Sequence, residues 1–242
     1  MQYQISAEQI LYTILKYDLP GICGVADAFA GQGEATIREE FPLWETQLCL
    51  SDLGSMDFDG VFTLDSDFLQ AITNCCQCSR ILSVPVRRAR TQRELTVFFC
   101  ESGTLALEQV QDREYRLHTA CNPQQLVPEF LQLPTTTVFS GSCNIDSGLI
   151  QRTDIMEMIC NGCDPDLAKL AADAAGGIAG YANLTWIENG MANEVQTILY
   201  NENGIVRVEV AYTWEQELMR LTPVDTKWVS DYVRSCADRQ GG

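Results

Sequence analysis

The chain has 242 residues, 46% of them hydrophobic and 20% charged, with a net charge of -17. That length suffices for a sizeable core in one large domain or two small ones. The charge opposes a phosphate backbone, which requires a basic face, and an anionic lipid surface for the same reason.

Residues 1–8 carry neither a basic stretch nor an apolar run of the secretory type, and no apolar run reaches the roughly 18 residues of a membrane span. A cytoplasmic protein without membrane insertion and without a nucleic-acid partner is therefore expected. Eleven cysteines in such a chain read as reduced thiols that pack like small apolar side chains.

Residues 6–17 predict a helix. Ser6 and Gln9 have capping-box spacing, and Ile10, Leu11, Ile14 and Leu15 form one apolar stripe. Leu19-Pro20-Gly21 ends it. Residues 21–33 are a glycine-rich connection without the lysine or the glycine spacing of a phosphate loop. A second helix is expected over 34–50 from Ile37, Phe41, Trp44 and Leu48, with a kink or a split at Pro42. Phe58-Asp59-Gly60-Val61 reads as a tight turn into a short strand. Asp65 then caps a third helix over 65–78, carrying Phe68, Leu69, Ile72 and Cys76. Three helices with a small strand suggest a winged-helix unit. The third helix, however, opens Asp65-Ser66-Asp67, acidic where a recognition helix needs donors.

Strands follow over 81–119, closed by a helix over 123–133 that starts at Asn122-Pro123 and contains Pro128. Residues 134–148 are small and polar and read as a linker. Helices are expected over 149–160, with Ile155, Met156 and Ile159 on its apolar side, and over 165–175, started by Asp164-Pro165 and ended by Gly176-Gly177. A second set of strands over 182–221 leads to a last helix over 223–237 that buries Trp228, Val229, Tyr232 and Val233.

The two strand sets are an internal repeat. Gly103 and Gly204 stand 101 residues apart, and at that offset Leu105 matches Val206, Leu107 Val208, Glu108 Glu209 and Leu117 Leu218. The helix starts Asn122-Pro123 and Thr222-Pro223 match as well. One domain of two similar halves, 1–133 and 149–242, is expected: an α+β fold whose central antiparallel sheet comes from two strand meanders.

Chemistry-bearing constellations are few. Cys75 and Cys78 in one half and Cys160 and Cys163 in the other could supply four thiolates to zinc, or Cys160 and Cys163 a redox pair. Thiols on a helix side usually pack, so no metal and no cofactor is assigned. His118, the only histidine, lies in a strand and reads as a packed residue rather than a catalytic base. No nucleotide or nucleophile motif occurs, and a non-enzymatic protein is expected. The distinctive feature is Arg87, Arg88, Arg90 and Arg93, which place four of the sixteen basic residues in seven positions. The equivalent loop of the second half, 188–194, has none. This is either an edge hairpin protected by charge or a contact loop for an acidic partner. Methionines and aromatics surplus to the core, Met156 and Met158 among them, could line a groove for a partner helix.

The order of a capped first helix, a glycine-containing connection, a helix ending near LGSMDFDGVFTLDSDFLQAI, and two meander-plus-helix halves resembles the EspG-like chaperones of type VII (ESX) secretion, in particular distant relatives from Gram-positive bacteria. The resemblance implies a sheet with approximate two-fold symmetry flanked by two helical bundles. It also implies a cytosolic adaptor that binds a helical secretion substrate and keeps it soluble for export, as a monomer or homodimer. By position, Arg87, Arg88, Arg90 and Arg93 and the helices over 149–175, with Met156 and Met158, would be the substrate-binding counterparts. A metal-stabilised or redox-responsive binding protein and a winged-helix regulator are the alternative readings.

Overall fold

The structure, a computed structural model, describes residues 2–88, 91–146, 162–212 and 217–239. Among these residues the chain runs β1 (Gln2–Ser6), α1 (Ala7–Lys16), α2 (Glu34–Glu39), α3 (Phe41–Leu50), β2 (Gly54–Met56), β3 (Phe62–Leu64), α4 (Ser66–Gln77), β4 (Arg80–Arg88), β5 (Thr91–Cys100), β6 (Gly103–Gln111), β7 (Glu114–His118) and α5 (Pro123–Leu131). It continues with β8 (Cys143–Asp146), α6 (Pro165–Ala175), β9 (Gly180–Glu188), β10 (Met191–Asn201), β11 (Gly204–Tyr212), β12 (Glu217–Val224) and α7 (Thr226–Asp238). Ten strands form one sheet in the order β1-β7-β6-β5-β4-β9-β10-β11-β12-β8, and β2 and β3 form a separate hairpin. The pairs β1–β7, β6–β7, β9–β10, β10–β11, β11–β12 and β12–β8 are antiparallel. The fold is α+β, as the sequence predicts, and both strand sets carry the same succession of four strands and a helix.

The chain divides into two compact units, one of Met1–Ile81 with Thr96–Cys121 and one of Leu82–Leu95 with Asn122–Gly242. In the first, the Ser6 Oγ accepts the Gln9 N–H at 3.3 Å while the Gln9 Oε1 accepts the Ser6 N–H at 2.9 Å, so the capping box forms. Tyr12 is fully buried, with ring centroids of Phe41, Trp44 and Phe62 at 5.0, 6.1 and 6.1 Å, all edge-on. Such arrangements add about 0.5–1.5 kcal/mol per pair beyond burial. Ile5, Ile10, Leu48, Phe68, Ile72 and Leu107 complete this core.

In the second unit α6 lies on β10–β12. Leu167, Ala168, Leu170 and Ala171 pack with Leu199, Val206, Leu221 and Phe139. The helix is capped by Asp164, whose carboxylate accepts the Asp166 N–H at 2.9 Å. Helices α5 and α7 pack together, and the Ser230 hydroxyl donates to the Gln124 carbonyl at 3.0 Å.

Several elements differ from the sequence reading. The helix expected over 34–50 takes the split form of the kink or split expected at Pro42: two helices meet at Glu40, because Pro42 sits in the first turn of α3 and cannot continue the ladder of α2. The stretch 134–148 is not only a linker. It contains β8, an edge strand paired with β12 from Leu218↔Asp146 to Leu221↔Cys143, and the Val138 N–H donates to the Asn203 carbonyl at 2.8 Å. Thr222-Pro223 does not start a helix. Pro223 belongs to β12, opposite Val206, and is tolerated there because β8 pairs only with residues 218–221, leaving that side of the strand without a ladder. Asp225 is the actual cap of α7, accepting the Trp228 N–H at 2.8 Å. The helix expected over 149–160 falls outside the described residues.

Candidate functional site

Arg87 and Arg88 end β4, and Arg93 lies near the start of β5, so only residues 89 and 90 separate the two strands. Thr91 Oγ1 donates to the Arg88 carbonyl at 2.8 Å and steadies the hairpin end. The three arginines divide their work. Arg88 Nη1 donates at 3.0 Å to Oε1 of Gln132, the left-handed residue that ends α5. The Arg93 guanidinium lies 5.0 Å from the Phe130 ring centroid. Arg87 is exposed, with Nη2 donating to Gln92 Oε1 at 3.5 Å, a distance at the weak limit of such bonds. Of the described arginines in this hairpin, Arg87 and Arg88 are exposed, and Arg87 makes the longer hydrogen bond. Arg90 lies outside the described residues.

Beside Arg87 is a groove of about 390 Å³ lined by Pro85, Val86, Arg87, Gln92, Ala174, Tyr181 and Asn183. Its lining combines apolar side chains with the Tyr181 phenol, the amides of Gln92 and Asn183 and the Arg87 guanidinium. Asn183 is fixed by the hydroxyl of Thr197, which donates to its Oδ1 at 2.8 Å. Among the described residues the lining includes no carboxylate, histidine or thiol.

The sheet face that carries Tyr181 also carries two exposed valines. Cross-strand pairing puts Tyr181 opposite Leu199 and Thr185 opposite Val195. It also puts Leu199 opposite Val206, and Thr197 opposite Val208. With the two-residue period of a strand, Tyr181, Val195 and Val210 thus share the sheet face on which α6 packs against Leu199 and Val206. Beyond α6 they are 41%, 51% and 50% exposed. Sequence reasoning missed Tyr181, Asn183 and Gln92. Their strands alternate like any half-buried strand, and nothing in the alternation says which length of the polar face a helix covers.

The remaining candidates are dispersed. Cys75 is 2% exposed inside the first unit, where burial raises its thiol pKa. Cys78 follows at the end of the same helix. Cys163 is buried in the second unit, its thiol hydrogen-bonded with that of Cys143, whose pKa is pushed up to about 12 by burial and by that contact. Cys160, Met156 and Met158 lie outside the described residues. Among the described residues no three metal-ligating side chains gather as a site. His118 is 6% exposed and uses both ring nitrogens: the Gln2 amide reaches Nδ1 at 3.1 Å and Nε2 lies 3.1 Å from Glu108 Oε2, which Arg116 also contacts at 3.2 Å. It ties β1, β6 and β7 together. Among the described residues no helix is long and apolar enough to cross a membrane.

No family model matches the chain, and no curated protein matches it. Its fold is nevertheless that of a solved protein. Over 100% of this chain and 97% of the other, it is similar to the Mycobacterium tuberculosis type VII secretion system chaperone EspG5, determined in complex with a PE25-PPE41 dimer, with a TM-score of 0.65 and 7% sequence identity. The EspG-like architecture implied by the order of elements is thus the architecture the chain has.

Proposed function

We propose that this protein is a non-enzymatic chaperone of type VII secretion that binds a helical secretion substrate in the cytoplasm, covers its apolar surface and keeps it soluble for export. The observation that carries this reading is the likeness of fold to EspG5 over the full length of both chains. Its two similar halves form the scaffold, acting as a monomer or homodimer. The sheet face with Tyr181, Val195 and Val210 offers an apolar track of the kind that takes one face of an amphipathic helix. Arg87, with Arg88, Arg90 and Arg93, receives carboxylates or the carbonyl end of that helix, both of which favour a guanidinium. Met156 and Met158 contribute adaptable apolar side chains to partner binding. The net charge of -17 keeps the unloaded chaperone soluble.

The test is affinity capture of the tagged protein from its native lysate, with partners identified by mass spectrometry. A small helical protein recovered as a complex of fixed stoichiometry, and lost when Arg87, Arg88, Arg90 and Arg93 are changed to serine, supports the reading. Recovery of no helical secretion substrate, in lysate where the type VII system is active, rejects it.

A further inference from the structure

The first unit gathers thiols that neither the proposed partner surface nor the core requires. Cys78 ends α4 and Cys100 ends β5. Both are half-buried and free, and their thiols are hydrogen-bonded to each other. Each sulfur is also held from behind. Cys78 Sγ lies 3.2 Å from the Arg80 carbonyl oxygen, and Cys100 Sγ lies 3.5 Å from the Asn74 carbonyl oxygen. The Arg80 side chain folds over the same corner, with Nη2 donating to the Phe99 carbonyl at 3.1 Å. Two half-buried thiols that interact with each other, one of them beside the Arg80 guanidinium, make a different environment from Cys75, which is sealed in the core.

We infer that Cys78 and Cys100 form a thiol–disulfide exchange site that closes reversibly to an intramolecular disulfide with a small-molecule disulfide such as oxidised glutathione. The Cys78 thiolate attacks one sulfur of the reagent, whose sulfur–sulfur bond breaks and expels one glutathione thiolate. Cys100 then gives its proton to solvent and attacks the Cys78 sulfur of the mixed disulfide, expelling the second glutathione. The protein loses two thiol hydrogens and two electrons, and the reagent gains both as two thiols. The product joins the end of α4 to the end of β5 and leaves the groove residues untouched.

The two cysteines have distinct roles. The hydrogen bond from Cys100, against the opposing effect of burial, and then the backbone and guanidinium of Arg80, hold the Cys78 thiol pKa below its usual range. The same hydrogen bond and burial raise that of Cys100. Cys78 is thus the attacking thiol and Cys100 the resolving one.

The reduced protein is incubated with oxidised glutathione at pH 7, quenched by alkylation and mapped by mass spectrometry. The expected result is a linked pair of peptides carrying Cys78 and Cys100 that separates on reduction. Cys100→Ser should stop at a glutathione adduct on Cys78, and Cys78→Ser should leave Cys100 unmodified over the same interval. Cys76→Ser and Cys121→Ser should keep the link. Circular dichroism of each variant confirms that it is folded, and mapping of the wild-type protein stands without any variant. The inference is overturned if wild-type Cys78 accumulates the glutathione adduct without closing onto Cys100, if neither cysteine reacts, or if the link persists in Cys78→Ser through Cys75 or Cys76.

Discussion

Gly180 opens β9 directly beneath a buried ring. It pairs with Tyr200 of β10, and a Cβ added at Gly180 would stand 2.5 Å from Tyr200 Cε2, 2.7 Å from Cε1 and nearer still to Cζ. Carbon atoms rest at about 3.5–4.0 Å, so the ring would have to move by about 1 Å. Tyr200 is 2% exposed and has no room for this without displacing its neighbours. Overpacking of this kind costs about 1–3 kcal/mol, and the upper end applies to an enclosed ring met by three atoms. Replacing glycine by alanine within a strand returns about 0.5–1 kcal/mol of backbone entropy, so Gly180→Ala should be destabilising by about 2 kcal/mol. That corresponds to a Tm lower by about 4–8 °C. Urea unfolding followed by circular dichroism gives the value, and a double-mutant cycle with Tyr200→Ala gives its cause. In the Tyr200→Ala background the added methyl meets no ring, so Gly180→Ala should be neutral or stabilising. An equal loss in both backgrounds, or a wild-type midpoint for Gly180→Ala, would refute the reasoning.

Four further outcomes are expected. Serine at Arg87 and Arg88 should weaken partner binding, read by titration calorimetry, while the urea midpoint stays nearly constant, because exposed polar contacts such as Arg88 with Gln132 contribute little to stability. Arg93→Ser should add a small loss of about 0.5–1 kcal/mol from its place over Phe130. Burial pushes the Glu45 carboxyl up, but hydrogen bonds from Lys16 at 2.6 Å and Tyr12 at 2.7 Å, with the Lys16 charge, outweigh it and lower its pKa. Its contribution is therefore complete above the unfolded value of about 4.3 and lost as pH falls through the lower folded value. Wild-type urea midpoints should drop toward those of Glu45→Gln between about pH 5 and pH 3, and parallel curves would contradict the assignment. Asp225→Ala should cost about 1 kcal/mol as the cap of α7, measurable by the same unfolding curves.

What could be read from the sequence was local and periodic. Ser6 and Gln9 announced a capping box by spacing alone, and the box forms. Gly103 and Gly204 marked the same turn in both halves, and both have positive φ, at 131° and 152°. Pro42 predicted a break, and α2 gives way to α3 there. The misreadings lie where one signal has two physical solutions. A threonine followed by proline reads as a helix start, yet Pro223 also suits a strand whose outer side is unpaired. β1 was overlooked because five residues ahead of a strong cap carry little pattern of their own, and only pairing with β7 makes them a strand. β8 was hidden by the small polar composition of 134–148. The arginine hairpin was visible as charge. The groove beside it was not, because Tyr181 and Asn183 come to Arg87 through the pairing of distant strands.

The most direct test of the chaperone reading is the solubility of the helical substrate recovered by capture, expressed with and without this protein and analysed by light scattering coupled to size exclusion. The account predicts that the substrate aggregates alone and, together with this protein, runs as a soluble complex of fixed mass. A substrate that is equally soluble alone, with no complex formed on mixing, would contradict it.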